Sequence, residues 1–264
     1  QTGTYRYYRA MRRLIRLAIG PIAVLAILDS VQAFRAADAA WPQFRGPAGA
    51  GILDTARLPL TWSKTTNVAW TAEVAGRGWS SPVAWKDQVF VTSAISAGAF
   101  KEPSTGIYGN EYVAELTAQG LSQAEVLKRV NARDIEDAGE SGEIRYMVYA
   151  FDAATGRIRW QREAHKGVPV GGRHRKNTFA SETPATDGQR LYVYFGNVGL
   201  FCYALDGSPL WTTRFEPQPM YLNFGTASSP VVHDGRVYVL HDNDGKSFVA
   251  AVDAPKLARM LPYK

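Results

Sequence analysis

The feature that most constrains the fold is a unit of short strands and tight turns that is written three times along the chain. Its clearest copy spans residues 226–253, where S-S-P-V-V-H, V-Y-V-L and F-V-A-A-V read as three strands. β-Branched and aromatic residues favour strands. Asp234 and Gly235 between the first two strands are typical of a two-residue hairpin turn.

Two earlier copies share this order of strands and turns. One runs from S-E-T-P-A-T at residues 181–186 through strands at 191–195 and 200–205 to Trp211. The other begins with S-S-P-V at residues 80–83, continues with V-F-V, resumes at residue 145 and reaches Trp160. Repeated four-stranded units with a periodic aromatic predict an all-β propeller of antiparallel blades. We expect an incomplete propeller of about three blades plus one closing strand at residues 60–70.

The second half of the first copy carries a family resemblance. Residues 152–160, D-A-A-T-G-R-I-R-W, resemble the A-x-D-x-x-T-G-x-x-x-W signature of PQQ-like (pyrroloquinoline-quinone) β-propeller repeat proteins. The resemblance covers residues 62–253 and is specific for the fold. It is not specific for the cofactor, since such repeats build both quinoprotein dehydrogenases and outer-membrane-assembly scaffold propellers. It implies that Gly156, Trp160 and Trp211 pack one blade against the next. The lead-in, residues 34–61, contains W-P-Q-F-R-G-P, which is typical of the start of mature exported members.

The first segment is predicted to be an export signal. Five arginines precede an apolar run at residues 17–28, and Val31 and Ala33 supply small residues for cleavage. We expect a signal peptide over residues 1–33 with its true start at Met11, and an uncleaved anchor is the alternative. With five arginines and Asp29, this segment carries +4 of the total charge of +6. The basicity therefore indicates a periplasmic or extracellular protein rather than nucleic-acid binding. No cysteine directly follows the apolar run, so we expect no lipid anchor.

A long insertion, about residues 94–144, separates the second and third strands of the first blade. It contains an amphipathic pattern over residues 111–119 with Gly120 as its stop, and then a capping box formed by Ser122 and Glu125. These signals predict a helical hairpin that packs on the propeller. The insertion has nine acidic and four basic residues, a net charge of −5.

The candidate ligand face follows from the order of the strands. In an antiparallel blade, the loop between the second and third strands and the connection to the next blade emerge on the same face. The insertion should therefore lie beside the basic connection at residues 162–177. Four of its residues could hold a phosphate, a carboxylate or an acidic polymer: Arg173, His174, Arg175 and Lys176. Alternatively, these charges pair with the acidic insertion and hold it down.

The sequence predicts neither a catalytic residue nor a metal site. D-N-D-G at residues 242–245 looks like a calcium loop but lacks the downstream carboxylate, so a hairpin turn is favoured. The four histidines have no metal-binding spacing, and Cys202 is the only cysteine. The resemblance implies that the dehydrogenases hold PQQ with calcium, a stacking tryptophan and often two adjacent cysteines.

We therefore expect an exported, non-catalytic binding or scaffold module without a cofactor. Its partner would be a protein, a saccharide or an anionic ligand, and membrane contact would come only through an uncleaved signal segment. A fragment of a PQQ-dependent dehydrogenase, using PQQ and calcium, is the alternative. Residues 254–264 lack the T-G and the tryptophan that the repeat requires, which suggests a frameshift or a truncated gene.

Overall fold

The computed structural model describes residues 40–54, 58–98, 110–138, 142–174, 176–220 and 224–254. All of them belong to one compact unit that begins at Ala39. The predicted signal peptide, the tail from residue 255 onward and Arg175 lie outside the described residues. Among those that are described, no helix combines the length and the apolar character needed to cross a bilayer.

The described strands form three antiparallel sheets, each a simple meander. Blade 1 consists of β1 (Val83–Trp85), β2 (Gln88–Ser96), β3 (Ile144–Asp152) and β4 (Ile158–Gly167). Blade 2 consists of β5 (Ala185–Thr186), β6 (Arg190–Phe195), β7 (Gly199–Ala204) and β8 (Pro209–Thr213). Blade 3 consists of β9 (Val231–His233), β10 (Arg236–His241) and β11 (Phe248–Asp253). The inner strands β1, β5 and β9 are neighbours, so the described part is an incomplete propeller.

Alternation of side chains explains why the strands of blade 2 are apolar at nearly every position. Successive residues of a strand point to opposite faces. In β6, Leu191 and Val193 pack into a core shared with blade 1, whereas Tyr192 and Tyr194 pack into a core shared with blade 3. Blade 2 is thus buried on both faces.

Tryptophans on glycine-containing turns join the blades. Trp160 of β4 donates from Nε1 to the carbonyl of Leu205 at 2.9 Å, and a Cβ on Gly207 would lie 2.6 Å from its ring. Trp70 is held in the same way on blade 1, where its Nε1 donates to the carbonyl of Ala153 at 2.8 Å and its ring covers Gly156. Trp211 donates to the carbonyl of Ala254 on blade 3 at 3.3 Å. In blades 1 and 2, the turn between the third and fourth strands therefore binds a tryptophan that precedes the blade in the chain.

Hydroxyl groups join the same blades near the inner strands. The amide of Ser81 donates to Oγ1 of Thr183 at 2.9 Å, and the amide of Thr183 donates to Oγ of Ser229 at 2.9 Å. Each of these three residues directly precedes a proline at the start of an inner strand. The repeated S/T-P dipeptide thus links each described blade to the next.

Residues 60–70 differ from the prediction, because the described residues 58–70 form no strand. Ser63 closes a turn by accepting the amides of Thr65 and Thr66, and Asn67 adopts a φ of 58° while its Nδ2 donates to the carbonyl of Thr61 at 2.7 Å. A segment of strand-like composition becomes a strand only when a sheet edge pairs with it. In residues 58–70, local hydrogen bonds take the place of pairing with a sheet edge.

The insertion forms the predicted helical hairpin, with α1 (Asn110–Ala118) and α2 (Gln123–Ala138). Gly120 has a φ of 78° and ends the first helix, while Oγ of Ser122 accepts the amide of Glu125 at 3.3 Å. The hairpin has a hydrophobic cluster of its own, composed of Leu116, Val126 and Val130 with Tyr112, Val113 and Leu121 around them. β2 and β3 are paired as far as Ser96 and Ile144, which confines the insertion to residues 97–143.

Candidate functional site

Two faces of the propeller are defined by its connections. The loop face is the end of the propeller that carries the β2–β3, β6–β7 and β10–β11 loops and the connections between blades. The turn face is the opposite end, which carries the hairpin turns after β1, β5 and β9. The insertion and the connection between blades 1 and 2 both emerge on the loop face, since alternate connections of a meander lie at alternate ends.

The connection begins later than the sequence predicts, because β4 continues to Gly167. Residues 162–167 are paired with β3, so the free connection starts at residue 168. Lys166 Nζ lies 2.7 Å from Oε2 of Glu143 at the root of the insertion. This ion pair is about half exposed and contributes little stability, but it brings the two oppositely charged segments together.

A cavity of about 390 Å³ opens between these segments on the loop face. Arg77 forms one wall, and its main chain is fixed to β2 by two hydrogen bonds with Ala94, at 2.9 and 2.8 Å. Arg173 also lines the cavity. The remaining lining residues are small, polar or apolar: Gly76, Ala94, Ile95, Ser96, Gly98, Thr178 and Phe179. Two arginines therefore line one concave site.

Arg173 is only 2% exposed, which is unusual for a charged side chain. Its Nη1 donates to the carbonyls of Asn177 at 3.0 Å and His174 at 3.4 Å, and its guanidinium lies 5.9 Å from the ring centre of Phe179. These contacts fix its orientation.

The other basic residues of the connection have different roles in the structure. His174 packs edge-on against Phe224 at 4.9 Å, and its Nδ1 accepts the amide of Lys176 at 3.1 Å. Lys176 is partly buried. Of the four predicted residues, Arg173 lines the cavity, His174 and Lys176 shape the connection, and Arg175 is not among the described residues.

Sequence reasoning missed Arg77 and Trp79. They stand in R-G-W directly before the S-S-P of the first inner strand, and this departure from the other two copies was the available signal. Trp79 is 51% exposed, and its amide donates to the carbonyl of Ala180 at 3.0 Å. An indole this exposed at the loop-face end of β1 offers a flat apolar surface near the cavity.

A second polar group lies buried between blades 2 and 3. Glu182 is 1% exposed and accepts the amide of Gly196 at 3.2 Å, and burial raises the pKa of its carboxyl. Tyr194 Oη and His241 Nδ1 are hydrogen-bonded at 2.7 Å, and burial lowers the pKa of the imidazole. Sequence analysis assigned His241 no role, although alternation with Val237 and Val239 places it on the buried side of β10. The pair ties the two blades together.

The described residues contain no group of three or more His, Cys, Asp or Glu side chains placed to hold a metal ion. In the D-N-D-G turn, Asn243 Oδ1 accepts the amide of Gly245 and Asp242 Oδ1 accepts the Ser247 hydroxyl, each at 2.8 Å, as in a hairpin turn. Cys202 is buried in β7, and burial raises the pKa of its thiol to about 12.

Comparison with known proteins finds a family that part of the chain resembles. The family model described as outer membrane protein assembly factor BamB matches residues 145–258. No curated protein sequence matches the chain. This match covers less than half of the chain, and together with the four-stranded blades it makes residues 145–258 similar to PQQ-like β-propeller repeats.

Solved structures of two kinds resemble 45% of the chain. They include a europium-containing methanol dehydrogenase, at 14% identity and a TM-score of 0.31. The quinohemoprotein alcohol dehydrogenase ADHIIG from Pseudomonas putida HK5 has 19% identity and a TM-score of 0.34, and BamB from Moraxella catarrhalis has 18% and 0.28. The matched regions span 22%, 18% and 36% of those three proteins, respectively.

Proposed function

We propose that the chain is an exported PQQ-like propeller that acts as a non-catalytic binding module and takes an anionic ligand on its loop face. The observation that carries this proposal is that two arginines, Arg77 and Arg173, line one cavity. A guanidinium presents a planar set of donors that matches carboxylates and phosphates. The ligand class is therefore a small polycarboxylate or phosphate, or such a group on a protein or saccharide partner.

The surroundings of the cavity support binding by a rigid site. Arg77 is fixed through its main chain to β2, and Arg173 through its side chain to the carbonyls of the connection. Sites built from loops on a rigid β scaffold are common places for recognition. The name of the matched family, an outer membrane protein assembly factor, agrees with an exported scaffold that binds a partner.

The test is a calorimetric titration of the purified chain at constant ionic strength. We expect saturable binding of citrate or inorganic phosphate and no saturable binding of glucose. Binding of glucose with no response to either anion would contradict the anionic ligand class and favour a neutral saccharide.

The exposed indole of Trp79 favours one second candidate, a fragment of a PQQ-dependent dehydrogenase. PQQ is a planar polycarboxylic acid, so a flat indole near two arginines would suit it. A visible absorption spectrum of the chain mixed with PQQ and calcium separates the candidates. A bound-quinone spectrum would favour the dehydrogenase, whereas anion binding without that spectrum supports the binding module.

A further inference from the structure

Three consecutive residues of the lead-in are hydrogen-bonded to the inner strands of three different blades. Trp41 exchanges two backbone hydrogen bonds with Ala84 of β1, at 2.8 and 3.0 Å. The carbonyl of Pro42 accepts the amide of Thr186 of β5 at 2.8 Å. The side-chain Oε1 of Gln43 accepts the amide of Val232 of β9 at 3.4 Å.

These bonds engage the open edges of the inner strands. Ala84 is paired with Val89 on one side, and its own amide and carbonyl point to the other side, where Trp41 lies. An inner strand has no neighbour within its blade on that side, so its edge groups need another partner. The lead-in supplies a partner to each of the three described blades.

The segment that follows holds Trp41 in position. Gly46 has a φ of 68°, and a Cβ there would lie 2.5 Å from the ring of Trp41. Its amide donates to the carbonyl of Gln43 at 2.8 Å, and the amide of Gly51 donates to the carbonyl of Arg45 at 2.7 Å. The chain therefore folds back so that its backbone supports the indole ring.

We propose that residues 41–51 form an axial strap that couples the three blades and fixes their relative rotation at the inner strands. The strap holds blade 1 by two main-chain bonds, blade 2 by one, and blade 3 by a side chain alone. Release of the strap should therefore loosen the inner strands of all three blades while leaving the interior of each blade intact. This coupling is independent of what the loop-face cavity binds.

Two glycines of the strap provide a matched experiment on the full chain. Gly46 and Gly49 have nearly equal φ angles, 68° and 66°, but a Cβ on Gly49 would meet nothing within 4 Å. Gly46→Ala and Gly49→Ala both place an alanine at a positive φ, and only the first displaces Trp41. Gly46 also has a ψ of −148°, a region that only glycine adopts readily, so Gly49→Ala controls for the positive φ alone and Gln43→Ala is the second test. Residue-resolved amide hydrogen exchange reports local opening, with the Val193 amide in β6 as the internal reference.

In Gly46→Ala we expect exchange to be at least about tenfold faster at the amides of Ala84, Thr186 and Val232, with Gly49→Ala and the reference unchanged. Acceleration confined to Ala84 would show a local anchor and overturn the strap. If Gly46→Ala also accelerates the reference, Gln43→Ala decides: faster exchange at Val232 alone supports the strap, and no change there overturns it. Gln43→Glu, which keeps the acceptor, should behave as wild type.

Discussion

At the scale of single residues, Asp152 explains why the repeat signature contains an aspartate before T-G. Its Oδ1 accepts the amides of Ala154 and Thr155 and the Thr155 hydroxyl, at 3.1, 2.9 and 2.8 Å, and so closes the turn on which Trp70 sits. Its Oδ2 accepts from Arg159, which also binds Asp87 at 2.7 Å. The hydrogen bond from Arg159, followed by those from Thr155, lowers the pKa of the Asp152 carboxyl to about 2.

The low pKa gives a residue-scale prediction. Because the pKa of Asp152 is depressed from 3.8, its contribution to stability is present above that pH and is lost as the pH falls through about 2. Arg159→Gln should raise the pKa of Asp152 toward its ordinary value, as measured by a carboxyl-carbon NMR titration. Arg157→Gln removes a nearby positive charge without removing those side-chain bonds and should change the pKa much less. Equal pKa values in wild type and Arg159→Gln would contradict this account.

At the scale of elements, the junction between blades 1 and 2 depends on the fit of Trp160 over Gly207. Gly207→Ala combines a left-handed φ of 84° with a Cβ 2.6 Å from the indole ring, whereas Gly235→Ala has a φ of 70° and open space. We expect the control to lose roughly 1 kcal/mol in the free energy of unfolding and Gly207→Ala roughly 1–3 kcal/mol more. Equal losses in urea unfolding would show that the tryptophan does not need the glycine.

The hydroxyl links give a second element-scale prediction. Thr183→Val keeps the shape of the side chain but removes the acceptor of the Ser81 amide. Leaving a buried donor unpaired costs about 1–3 kcal/mol, and the Ser81 amide should exchange faster with solvent. Thr212→Val on the exposed outer strand β8 is the control and should change stability by less than about 0.5 kcal/mol. Unchanged exchange at Ser81 would rule out the link.

The strands and turns could be predicted from the sequence because they depend on local patterns. Alternation, S/T-P, D-G and T-G fall within a few residues of one another, and Gly120 and Ser122 mark the helix ends in the same way. The prediction of a strand at residues 60–70 was wrong because strand formation depends on a distant sheet edge. Arg77 and the strap were missed for a related reason: Gln43 and Val232 are 189 residues apart, and local patterning does not encode such contacts.

At the scale of the whole molecule, the outer face of blade 3 resembles an uncovered blade interface. Leu240 and Val249 are cross-strand partners there, 47% and 40% exposed. Tyr194 and Leu200 hold the same places in blade 2, where blade 3 buries them. Exposed apolar surface of this kind promotes association.

This exposed face predicts self-association of the 264-residue chain. Leu240→Lys should lower the association constant measured by sedimentation, because a charge would be buried in the contact. Leu210→Lys, on the outer strand β8 and equally exposed, should leave association unchanged. A chain that is monomeric at every concentration would contradict the prediction.

The central claim is that the loop-face cavity binds an anion through its guanidinium groups, and one titration tests it most directly. Arg77 is exposed and can be changed without emptying a core position, and Arg157, an exposed arginine on the turn face, is the matched control. A hydrogen bond to a charged group is worth about 1.5–3 kcal/mol. By calorimetry with citrate, Arg77→Gln should therefore weaken binding by roughly 10- to 150-fold, and Arg157→Gln should bind as wild type. Equal citrate affinity in wild type and both variants, or no saturable binding by wild type, would contradict the claim.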